Sequence, residues 1–217
     1  MVVKKVGLIE YSPWVDFWNS ATHAVGAVAA VAGIVALLIK AEGLRETLAV
    51  LIYGLSLLAV YFISAFYHGL PMGELKRRAR LADHTAIPIL IAGTATPCAL
   101  ITLFEVSTVS ALFVFFVAWG CAAFGVISKL FFFEKLKAVT MAVYIISCIV
   151  MLGSAVPLLD RFDKNAFNLL LYGNLTYVAG AICCWLGIKR EWFHVVFHLF
   201  VLAAGAIHFY AIHNYVL

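Results

Sequence analysis

Apolar positions in this chain run continuously for about 20 residues at a time, with polar breaks between them. That length matches an α-helix crossing a hydrocarbon core of about 30 Å. A membrane β-barrel would show short segments of alternating polarity instead. Charged breaks mark seven runs, at about Asn19–Ile39, Thr47–His68, His84–Phe104, Thr108–Ser128, Ala138–Leu158, Ala166–Ile188 and Phe193–Tyr215. Short connections make neighbouring helices antiparallel. The pattern therefore predicts an all-α, polytopic membrane protein, a seven-transmembrane-helix bundle forming one domain over residues 1–217.

Composition agrees. Hydrophobic residues make up 65% of the 217 positions and charged residues 12%, whereas soluble domains run nearer half and a quarter. The excess apolar surface must face lipid. Each helix satisfies its own backbone hydrogen bonds there, where no water can.

The basic residues add an orientation. Lys4, Lys5, Lys76, Arg77, Arg78, Arg80, Lys129, Lys135, Lys137, Lys189 and Arg190 fall on one face of a seven-span topology, and Lys40, Arg45, Arg161 and Lys164 on the other. The positive-inside rule puts the richer face in the cytoplasm, with the N-terminus inside and the C-terminus outside. The formal net charge of +4 is thus a topology signal, not a nucleic-acid one. No cleavable signal peptide is expected, because Lys4 and Lys5 precede no short apolar stretch with a small-residue cleavage site.

Ionisable groups inside spanning helices are costly and mark function. The second run ends in Ser64-Ala65-Phe66-Tyr67-His68, the third opens with Asp83-His84, and the seventh opens with His194-Val195-Val196-Phe197-His198. Asn19 and His23 open the first. The predicted directions bring all four segments to the inner leaflet. His194 and His198 are four apart, so both imidazoles project from one helix face. With His68 they make three nitrogen ligands, and three ligands plus an open position is the catalytic zinc pattern. Ser64 lies one turn from His68 on the same face. Asp83 is the candidate general base toward a metal-activated water.

The other polar positions receive plainer readings. His208 is about 15 Å beyond His198 by helix rise and is read as a core hydrogen-bonding group. His84 is read as a packing or headgroup contact, His213 as solvated, and Asn19 with His23 as a pair bracing the site. Pro97 predicts a kink in the third helix. The five cysteines (Cys98, Cys121, Cys148, Cys183 and Cys184) all sit inside apolar runs and are read as small hydrophobes. On that reading the cluster has no soft ligand, which argues against copper(I).

These segments, together with Gly93-Thr94-Ala95-Thr96-Pro97 and Ala206-Ile207-His208-Phe209-Tyr210, resemble the hemolysin III family, which is grouped with the progestin and adipoQ receptors. The resemblance spans nearly the whole chain and looks like the bacterial branch. It implies zinc held by His68, His194 and His198 near the cytoplasmic side, with Asp83 and Ser64 as catalytic residues beside it. Asp16 would fill the acidic position the family carries just before its helix-1 Asn and His. It further implies a multi-pass protein of the bacterial cytoplasmic (inner) membrane and, by likeness to alkaline ceramidases, hydrolysis of a membrane lipid amide or ester. A receptor or sensor with structural zinc is the alternative. A pore-forming cytolysin is the least favoured, because the polar groups crowd one leaflet.

Overall fold

The computed structural model describes residues 6–156 and 163–217. Lys4, Lys5, Arg161 and the last residues of the fifth predicted run lie outside them. Seven helices form among the described residues. They are α1 (Pro13–Lys40), α2 (Gly43–Gly69), α3 (Glu74–Val106), α4 (Thr108–Phe132), α5 (Lys137–Ala155), α6 (Lys164–Leu186) and α7 (Trp192–Val216). All seven are long and apolar enough to cross a membrane, and no strand occurs among the described residues. The protein is a multi-pass helical membrane protein.

Local sequence sets the helix starts. Pro13 sits in the first turn of α1, where its missing N–H costs nothing and its fixed φ suits the helix. The Asp163 carboxylate caps α6 by accepting from the Asn165 and Ala166 amides, and the Ser107 side chain caps α4 by accepting from the Ser110 amide.

The third helix differs most from the expected bounds. It starts at Glu74, where the expected start is His84. Lys, Arg, Leu and Ala are good helix formers, so Leu75–Ala82 coils despite its charge. Over its 33 residues the helix rises about 50 Å, well beyond a hydrocarbon core of about 30 Å. The extra turns carry Lys76 and Arg80 inward, where both are buried. α1 likewise begins at Pro13 instead of Asn19, which brings Asp16 onto the helix.

Where the sequence places a kink, at Pro97, the helix changes its hydrogen-bonding pattern. Residues Cys98–Leu103 directly after this proline form a π-helical segment. A proline cannot donate to the carbonyl four residues back, and wide turns relieve the resulting gap.

α1 packs on α2 and α7, α2 on α3, α3 on α4, and α6 mainly on α7. Burying apolar groups gives no driving force between helices in lipid, so close contact and polar pairs hold the bundle. Tyr61 of α2 donates to the Val201 carbonyl of α7 at 3.4 Å. Gly205 makes room for it, since a Cβ there would overlap the Tyr61 hydroxyl. Gly173 of α6 does the same for His208, whose Nε2 donates to the Leu170 carbonyl at 3.2 Å. His208 is thus the core hydrogen-bonding group that the sequence suggests. Large apolar side chains such as Val25, Val28, Phe116 and Ile149 remain on the outer faces, where lipid covers them.

Candidate metal centre

Antiparallel packing collects the starts of α1, α3 and α7 and the end of α2 at one end of the bundle. His68, at the last turn of α2, meets His194 and His198 on the first turns of α7. One ligand nitrogen from each of the three lies within 4.8 Å of the other two. Two metal–nitrogen bonds of about 2.0–2.1 Å at a tetrahedral angle set their nitrogens about 3.3 Å apart, so the rings must draw together to close the set on one ion. His68 and His198 are buried, and His194 is half-buried. This three-histidine cluster can hold a metal ion.

Asp16 orients the first of these ligands. His68 Nδ1 donates to Asp16 Oδ1 at 2.8 Å, while Lys76 Nζ donates to Asp16 Oδ2 at 2.7 Å. The Lys76 charge neutralises the carboxylate, and the Lys76 side chain is only 2% exposed. With its proton on Nδ1, His68 presents a lone pair at Nε2, a buried atom with no partner among the described residues. A carboxylate behind a histidine fixes its tautomer and raises its basicity as a ligand. The Asn19 amide nitrogen lies 3.4 Å from the same Nδ1; because the proton there goes to Asp16, Asn19 is a packing neighbour of His68 and not a hydrogen-bond partner.

His198 carries a second buried nitrogen without a partner among the described residues, Nδ1. Its ring lies 3.9 Å from the His23 ring, centroid to centroid. His23 is buried and packs edge-on against Tyr61. It therefore braces His198, from the same helix face on which Asn19 braces His68.

The third histidine has neighbours that sequence reasoning did not assign to it. Cys184, near the end of α6, places its sulfur 3.9 Å from His194 Nδ1. This corrects the reading of all five cysteines as plain hydrophobes and the statement that no soft atom approaches the cluster. The α6–α7 turn folds back and juxtaposes residues ten apart, a proximity that linear cysteine spacing does not reveal. Tyr11, before α1, stacks on the His194 ring at 5.1 Å and 22°. Burial pushes the Tyr11 phenol above its ordinary range, so it stays protonated at neutral pH.

Asp83 of α3 is half-buried and lies among Ser64, Tyr67, Arg80 and Cys184. The Ser64 hydroxyl lies beside its carboxylate. Asp83 thus shares Cys184 as a neighbour with His194. His84 points the other way, edge-on to Phe133 at 5.0 Å, which agrees with a packing role. Beside His68, a groove of about 430 Å³ opens between the start of α1 and the end of α2, lined by Asp16, Phe17, Ser20, His68 and Pro71 among others.

A multi-pass helical membrane protein with three histidines converging at one end of the bundle is the class that this fold and cluster define. Residues 14–209 match the family described as Haemolysin-III related, and the chain belongs to that family. It is 33% identical to Hemolysin-3 of Bacillus cereus, covering 92% of this chain and 90% of that protein. It is 28% identical to the Hemolysin-3 homolog of Bacillus subtilis (strain 168), covering 89% and 91%. It is also 28% identical to the human monocyte to macrophage differentiation factor, covering 91% and 82%. The family resemblance read from the Ser64–His68, Asp83–His84 and His194–His198 segments is borne out.

The Asp16 bridge makes a specific prediction. Asp16→Asn is expected to weaken metal binding by about 10–100-fold, the usual effect of losing such a partner. It is also expected to lower thermal stability, because Lys76 is left as an unpaired buried charge, at a cost of about 3–5 kcal/mol. Combining it with Lys76→Met should recover stability but not affinity. Metal titration and thermal unfolding in detergent measure the two effects separately. Equal recovery of both would mean that Asp16 serves only to neutralise Lys76.

Proposed function

We propose that this protein is a zinc-dependent intramembrane hydrolase acting on a membrane lipid amide or ester. In this reading the three-histidine end faces the cytoplasm, in the cytoplasmic membrane of a bacterial cell. The observation that carries the proposal is the donor set itself. Three imidazoles converge, one held by a carboxylate and presenting a buried nitrogen with no partner among the described residues. Neutral nitrogen donors suit zinc, and three of them leave a coordination position for chemistry. The described basic residues support the orientation, since Lys76, Arg77, Arg78, Arg80, Lys129, Lys135, Lys137, Lys189 and Arg190 cluster at this end and Lys40, Arg45 and Lys164 at the other.

When bound, zinc supplies Lewis acidity, which polarises a carbonyl group and makes water a nucleophile near neutral pH. The chain's own residues do the rest. His68, His194 and His198 hold the ion. Asp83 accepts the proton from the attacking water and returns it to the leaving amine or alcohol as the acyl C–N or C–O bond breaks. Ser64 donates to the Asp83 carboxylate and orients it. The groove beside His68, lined by the start of α1 and the end of α2, would receive the polar end of the lipid.

The test is turnover by the purified chain on a panel of lipid amides and esters. The expected result is hydrolysis of at least one class, lost on treatment with a chelator and regained with zinc. A chain that holds stoichiometric zinc and hydrolyses none would instead be using the ion to hold its helices, as a receptor or sensor would.

A further inference from the structure

We propose that Tyr11 is a positioning residue that seats His194 and closes the metal cluster at the end of the bundle, thereby setting how fast the ion enters and leaves. The inference rests on reading the three histidines as a metal site.

Among the three, His194 alone is not fully buried, and Tyr11 is the aromatic ring stacked on it. Among the described residues no carboxylate holds His194 as Asp16 holds His68. Its ring is fixed instead by the Tyr11 face on one side and the Cys184 sulfur at Nδ1. The Tyr11 ring also lies 5.7 Å from the His68 ring. It therefore spans two of the three ligands that come from different helices.

The segment that carries Tyr11 is tied down at both ends. Val6 is buried against Leu81 and Phe133. Arg77 Nη1 donates to the Val6 carbonyl at 2.9 Å, and Arg80 donates to the Gly7 carbonyl. At the other end the Ser12 amide donates to Glu191 Oε2 at 2.8 Å. Glu191 directly precedes α7, so the anchor and the histidine it serves share one helix start. These ties span α3 and α7 and hold Tyr11 over the cluster, with its ring nearly parallel to that of His194.

An aromatic face against an imidazole limits ring rotation without using either nitrogen, so the ring and not the hydroxyl is the working part. The test is metal release from the purified full-length chain, loaded with zinc and mixed with excess chelator. Cobalt(II) absorption reports ligand geometry in parallel. Tyr11→Phe is expected to release zinc at the wild-type rate with an unchanged cobalt spectrum. Tyr11→Ala is expected to release it about 10–100-fold faster, with a shifted spectrum. Glu191→Ala, which removes the acceptor of the Ser12 amide but keeps the ring, is expected to fall between, and it carries the test if Tyr11→Ala fails to fold. Wild-type release and spectrum in both Tyr11→Ala and Glu191→Ala would overturn the proposal while leaving the metal site standing. Tyr11→Phe behaving as Tyr11→Ala would overturn it in favour of the hydroxyl. A wild-type chain that holds no metal would overturn both this inference and the reading beneath it.

Discussion

Asp83→Asn is expected to reduce lipid hydrolysis by about 10²–10⁴-fold, the usual contribution of a positioned general base, with metal content unchanged. The asparagine keeps the shape of the carboxylate and its contact with Ser64 but cannot accept a proton. Asp83 is not one of the three converging ligands, so the ion should stay. Ser64→Ala should cost less, because the hydroxyl orients the carboxylate without exchanging protons with the substrate. Full zinc occupancy in Asp83→Asn with wild-type turnover would remove Asp83 from the chemistry and leave the histidines as its only established part.

The second large effect concerns the ligands. His68→Ala and His198→Ala are each expected to abolish tight metal binding, since two imidazoles do not make a three-ligand site. Their side effects should differ. Removing His68 leaves the Asp16–Lys76 ion pair in place, so α1, α2 and α3 keep much of their polar connection. Removing His198 leaves His23 without the ring it packs against at 3.9 Å, in the middle of the α1–α7 contact. Thermal unfolding of the metal-free proteins should therefore place His198→Ala below His68→Ala. The reverse order would mean that His68 also carries structural weight through Asn19 and Asp16.

Much of this was legible in the sequence because two periodicities are strong. Apolar runs of membrane length give the helices, and the i, i+4 spacing of His194 and His198 gives a shared face. Antiparallel succession then brings His68 to the same end without any knowledge of packing. What was not legible depends on charged residues that fold inward. Lys76 reads as a loop charge, yet it is buried on a helix and neutralises Asp16. The family resemblance singles out Asp16, but with Lys76 read as solvent-facing nothing ties that carboxylate to His68.

Tyr11 and Cys184 were missed for a different reason. Tyr11 lies in an irregular segment, where no periodicity assigns a side chain to a face. Cys184 reaches His194 only through the turn between α6 and α7. A single cue was present for Asp16, which stands three residues before Asn19 and seven before His23, at the spacing of one helix face. Pro13, a residue that favours a first helical turn, extends α1 back far enough to put Asp16 on the face that carries Asn19 and His23.

The most direct test of the central claim is metal analysis of the purified protein, wild type against His198→Ala, by elemental mass spectrometry after exhaustive dialysis. About one zinc per wild-type chain and none in the variant, with both folded, is the result expected of a three-histidine site. No zinc in either protein, or equal zinc in both, would contradict the account.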